Sequence, residues 1–179
     1  MLRALLFCLP LLLLAGCGQA PAVAAGGKTG SGDPEQDLYE KVKAARYQIG
    51  VATDRFEQTI NLSRGLAERE QAEVRQALNT IAESLAKAGS KVADFDEEPP
   101  ALNEFKASFA EQDDARLKAI EACNSALKEV ADAMSLTDDL LASEPPEEEK
   151  KALTEIKGAI QEGQDALESA VQEMDGVVQ

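Results

Sequence analysis

The sequence predicts an all-α fold, an antiparallel four-helix bundle with heptad-like seams, and three observations carry that prediction. Four segments place apolar residues at alternating spacings of three and four, turn signals separate the segments, and no stretch alternates apolar with polar residues as a half-buried strand would. Each segment has one apolar stripe to bury, and four such stripes can bury one another. A kinked three-helix bundle is the alternative.

Asp33-Pro34 starts the first helix: an N-cap residue, then proline at the first helical position, with Glu35 and Asp37 in the first turn. Its seam is Leu38, Val42, Ala45, Ile49, Ala52 and Phe56, and Tyr47 and Val51 widen the apolar face beyond what a two-stranded contact needs. Continuing the phase gives Thr59, Ser63, Leu66, Glu70 and Glu73, mostly polar. The pattern then resumes one position later. A turn near Gly65, with that glycine left-handed, explains the slip; one kinked helix of about 60 residues competes with it, because no proline intervenes and Leu66-Ala67-Glu68 favours helix.

The second helix carries Val74, Leu78, Ile81, Leu85, Ala88, Val92 and Phe95 and stops before Pro99-Pro100, since the residue preceding a proline is pushed out of the helical region. The third is read as one helix from Ala101 to Ala142, which contains no glycine or proline. Leu102, Phe105 and Phe109 form its early strip, and Ile120, Cys123, Leu127, Val130, Met134 and Leu141 its seam. Asp113 stands where an apolar residue is expected and marks a possible bend at Asp113-Asp114. After Pro145-Pro146, Glu147, Glu148 and Glu149 occupy the first turn of the fourth helix, where the helix dipole favours negative charge. Leu153, Ile156, Ile160, Gly163, Leu167, Ala170, Met174 and Val177 form the fourth seam.

Upstream of the bundle the chain carries an address. Arg3 precedes a nearly unbroken apolar run from Leu5 to Leu14, the layout of a secretory signal, and the run is shorter than the roughly 20 residues a membrane-spanning helix needs. Leu14-Ala15-Gly16-Cys17 resembles the lipobox of bacterial lipoproteins. The resemblance covers this N-terminal segment alone. It implies a signal peptide at residues 1–16, cleavage before Cys17, a diacylglyceryl group on its sulfur and acylation of the new amino terminus. An ordinary signal peptide cut near Ala20 or Ala25 is the competing reading. Two or three acyl chains hold a protein on a membrane lastingly, at about 0.8 kcal/mol per buried methylene. Gly18, where an inner-membrane retention signal would usually place Asp, leans the expected location to the periplasmic face of the outer membrane. Residues 17–32 hold five glycines and no periodic pattern, and read as a flexible tether of roughly 20 Å average span. The domain is residues 33–179.

Composition narrows the chemistry. The formal net charge is −15, which disfavours nucleic acid and anionic headgroups and suits solubility or a basic partner. Histidine is absent, which removes the usual general base and the commonest metal ligand. Cys123 would be the one thiol left after processing and modification of Cys17. It sits on a seam with no basic activator beside it in sequence, so it reads as core. The acidic groups at 94–98 and 144–149 lack the spacing of a calcium loop and read as caps and solvated turns. Gly163 in a seam costs about 1 kcal/mol relative to alanine, which the close approach of a neighbouring helix would offset, or a ligand groove. No catalytic residue, cofactor or metal is expected.

The resulting expectation is a non-catalytic, membrane-tethered interaction or assembly protein of the cell envelope, with a protein partner; the alternative is a binding module for a small apolar ligand or cation held by the bundle. Helix lengths suggest where a partner docks. The first two helices run to about 28 residues and an unbroken third to about 40, so the far end of the third is expected to project, carrying Met134, Leu136, Leu140 and Leu141 beside Asp138, Asp139 and Glu144.

Overall fold

The computed structural model describes residues 33–176. The expectations for residues 1–32, Cys17 among them, and for Val177 lie outside these. At the start of α1 (Pro34–Ala67) the Asp33 carboxylate accepts hydrogen bonds from the backbone N–H of Glu35 at 3.0 Å and of Gln36 at 3.4 Å. Those are donors that a helix start leaves without partners. The buried line follows the predicted seam from Leu38 to Phe56 and then runs on through Thr59, Ser63 and Ala67.

Gly65 does not end this helix. It lies within α1, and the turn comes at residues 68–71. A side chain from the next helix closes it: Arg75 donates through Nε to the Ala67 carbonyl at 3.1 Å and through Nη2 to the Glu70 carbonyl at 2.9 Å. The guanidinium fork thus takes up carbonyls at the helix end, so no left-handed glycine is needed. The phase slip is absorbed inside α1 by the step from Ser63 to Ala67, and the turn excludes a single kinked helix through this region.

Helix α2 (Ala72–Val92) buries Leu78, Ile81, Leu85, Ala88 and Val92 as predicted, and a 3-10 turn (Ala93–Phe95) continues it. The third segment is not one helix. It is α3 (Leu102–Ala107) followed by α4 (Phe109–Ala142), broken at Ser108 rather than bent at Asp113. The Ser108 hydroxyl donates to the Glu104 carbonyl at 3.0 Å, a back-bond of the kind that bends helices. Phe105 is drawn aside into a small second core with Leu38 and Val42, flanked by Tyr39 and Phe109, and the Tyr39 and Phe105 rings meet edge-on at 5.3 Å. Asp113 sits at the edge of the inner face of α4, its side chain 40% exposed, where Arg116 Nε bonds it at 2.7 Å; Arg116, 4% exposed, also donates to the Met174 carbonyl at 2.7 Å.

The seam of α4 needs a second correction. Its buried line is Ala119, Cys123, Ala126, Val130, Ala133 and Thr137, whereas Ile120, Leu127, Met134 and Leu141 flank it, half-buried. Small residues take the centre because α2 and α5 (Glu147–Asp175) bring large ones to it: Leu78, Ile81 and Leu85 from one, Leu153, Ile156, Ile160 and Leu167 from the other. Close packing fixes the sum of facing volumes, so the helix between two bulky neighbours is the one that presents alanine.

The described residues thus form an all-helical bundle of five α-helices, with no strand among them. Helix α1 packs on α2 and α5, and α4 packs on the same two. At 21 residues α2 is much shorter than α1 at 34, a deficit of about 20 Å at 1.5 Å per residue. The 3-10 turn, the loop that follows it and α3 fill that gap beside the lower half of α1.

Candidate functional site

The filling is incomplete, and the notch it leaves is the candidate site. Besides its buried seam, α1 carries an outward strip, Ala44, Tyr47 and Val51, at spacings of three and four. Where α2 is present it covers such a strip; below Val92 the chain turns away and the loop at residues 96–99 forms the opposite wall. Arg46 holds that wall in position, its Nη1 donating to the Glu97 carbonyl at 2.8 Å. Burial pushes the Arg46 guanidinium below its usual value, and the Glu97 carboxylate beside it pulls the other way. The notch, open on one side, holds about 710 Å³, within the range of natural ligand pockets. Tyr47 is 71% exposed, and only Leu117 joins it as an exposed large hydrophobic among the described residues.

Carboxylates rim the notch. Glu40 and Asp54 stand at its two ends on α1, with Asp96 and Glu98 on the loop, and none of the four enters an ion pair among the described residues. Six carboxylates elsewhere among the described residues are paired, among them Asp138 with Lys157 at 2.6 Å, Glu129 with Lys91 at 2.6 Å, and Asp33 with Lys106. Lys91 and Lys106 hold Glu129 and Asp33 below the usual carboxylate range.

The expected overhang at the end of the third helix is absent. Both α1 and α4 are 34 residues long, and the turn after α1 lies level with the start of α5, where burial and the nearby Glu70 carboxylate push the Glu149 carboxyl up. Met134, Leu136, Leu140 and Leu141 are half-buried and pack against the main core. Asp139 and Glu144 are exposed beside them, and Glu144 takes a left-handed backbone, φ 55°, before Pro145. The length difference falls on α2 instead, at the opposite end.

Cys123 is fully buried and unbridged, and burial pushes its thiol up to about 11. It stays a neutral thiol at ordinary pH. Gly163 is where the ring of Phe56 lies, so the groove considered for a ligand is filled by a side chain. Among the described residues no three acidic or thiol groups converge to hold a metal ion, and no helix is long and apolar enough to cross a membrane. The sequence hinted at the notch only through Tyr47 and Val51, which widen the face of α1. Val51 is half-buried against the main core, and that the ring of Tyr47 stays exposed follows from where α2 stops.

No protein-family model matches the chain, and no curated protein or solved structure is significantly similar to it.

Proposed function

We propose that this chain is a lipid-anchored protein of the bacterial envelope, tethered through Cys17 at the periplasmic face of the outer membrane, whose helical domain is a non-catalytic interaction module. The domain is read as an antiparallel four-helix bundle of α1, α2, α4 and α5, with α3 as a plug. Two contacts support opposed directions for neighbouring helices: Arg75 on the end of α1 and Arg116, near the start of α4, on Met174 at the end of α5. The observation that carries the function is the notch, where the exposed ring of Tyr47 and the half-buried Val51 lie beside carboxylates that enter no ion pair among the described residues. Exposed apolar surface with a polar rim is the usual make-up of a protein-binding patch.

The test is photo-crosslinking in intact cells, with a photoreactive residue at position 47 and, as a control, at the exposed Lys87 of α2. A protein adduct from position 47 alone, diminished when Cys17→Ser prevents acylation, is the expected result. No adduct from position 47, or the same adducts from both positions, would refute the reading, and a Cys17→Ser chain that still fractionates with membranes at mature size would refute the anchor.

A further inference from the structure

We infer that the notch receives an extended segment of a protein partner in which arginine or lysine is interspersed with apolar residues. This rests on the reading of the notch as a partner surface. The strip from Glu40 to Asp54 rises about 21 Å along α1, a length that an extended segment of about six residues spans. A helix laid over the same distance would carry about fourteen residues, and a space of about 710 Å³ suits the slimmer occupant.

Charge selects the composition. Four carboxylates face the notch against Lys43 and Arg46, and Arg46 is turned onto the Glu97 carbonyl. An incoming cation finds two acidic groups on the loop, Asp96 and Glu98, across from the open ring of Tyr47. The face of an exposed tyrosine attracts a guanidinium or ammonium group, and unpaired carboxylates on both walls add complementary charge. Apolar side chains of the segment then lie against Ala44, Val51 and Pro99. Because α1 spends its backbone groups internally, the segment gains no ladder of main-chain hydrogen bonds, and recognition depends on side chains.

The probe is a fluorescein-labelled hexapeptide alternating arginine and leucine, titrated by anisotropy into the full chain in non-ionic detergent. A peptide with glutamate for arginine, and detergent alone, serve as blanks. Tyr47→Ser, and separately Asp96→Asn with Glu98→Gln, should each weaken binding by about tenfold. Leu117→Ser, and Glu147→Gln with Glu148→Gln, should leave it within about twofold. Equal weakening by the Glu147 and Glu148 pair would reduce the effect to general charge attraction and overturn the proposal, as would absence of binding. Self-association on sedimentation that Tyr47→Ser abolishes would also overturn it, by making a second copy the occupant. An adduct from position 47 in cells without peptide binding sinks the partner chemistry alone; no adduct in cells sinks the underlying reading.

Discussion

Replacing Gly163 with alanine sets two effects of opposite sign against each other. Alanine in a helix interior is favoured over glycine by about 1 kcal/mol. The added Cβ, however, would stand 2.6 Å from Cε1 of Phe56, 3.1 Å from Cδ1 and 3.4 Å from Cζ. Carbon atoms pack best at about 3.5–4.0 Å, so the ring must retreat by about 1 Å, and at 1% exposure it has nowhere free to go. Overpacking of this kind costs about 1–3 kcal/mol. The balance is a net loss of up to about 2 kcal/mol. Gly158, on the same helix with nothing within 4 Å of an added Cβ, supplies the reference: Gly158→Ala should gain about 1 kcal/mol. Urea unfolding of both variants isolates the steric part as their difference, and each kcal/mol corresponds to about 3 °C in melting temperature for a domain of this size. Shortening the ring as Phe56→Leu in the Gly163→Ala background should recover part of the loss. If both glycine replacements stabilise equally, the reasoning about Phe56 is wrong.

Ser63→Ala should be neutral or stabilise by up to about 1 kcal/mol, because the fully buried Ser63 hydroxyl has no hydrogen-bond partner among the described residues, and calorimetry would report it. Glu144→Gly should stabilise by about 1 kcal/mol in the same assay, since a left-handed backbone is strained for every residue with a Cβ. Leu140→Asp with Leu141→Asp should cost several kcal/mol in denaturant unfolding, as these side chains pack on the core; an unchanged midpoint would return them to consideration as a docking surface. Glu129, held below the usual carboxylate range by Lys91, contributes stability that is present above the unfolded value and lost as pH falls through the lowered folded one. Lys91→Met should therefore flatten the acid limb of the stability profile, measured by unfolding midpoints across that range; an unchanged limb would show that the pair contributes nothing.

The parts of the fold legible in the sequence are those where a helix supplies its own large side chains. Leu78, Ile81 and Leu85, or Ile156, Ile160 and Leu167, identify their faces alone, and Asp33-Pro34 identifies its own cap. In α4 the expected seam holds at Cys123 and Val130 and is one position off at Ile120, Leu127 and Met134, because the buried places beside these are alanine, and alanine is ambiguous until the bulk of its neighbours is known. The end of α1 was misread for a similar reason: Arg75 closes it from eight residues away, and no local rule joins the two. Ser108 breaks a segment of good helix formers because Phe105 is drawn towards Leu38 and Val42 across the domain. Tyr47 and Val51 could be read as apolar surplus, but the exposure of Tyr47 depends on the length of α2.

The early part of α1 is fastened to the last described turn: Lys41 Nζ donates to the Gly176 carbonyl at 2.7 Å, about two turns from the point where the chain enters at Asp33. Force applied between residues 33 and 176 would therefore pull two adjacent strands of the polypeptide apart from a common pole. Contacts between α1 and α5 would then be loaded one after another, as in a zipper, beginning with a single exposed bond. Force applied between residue 33 and the turn at Glu144 would instead run along the helices and load the same interfaces side by side, in shear. The domain should consequently yield at low force when held by its two ends and resist far better when pulled from pole to pole, a contrast that optical tweezers can measure with handles at these positions.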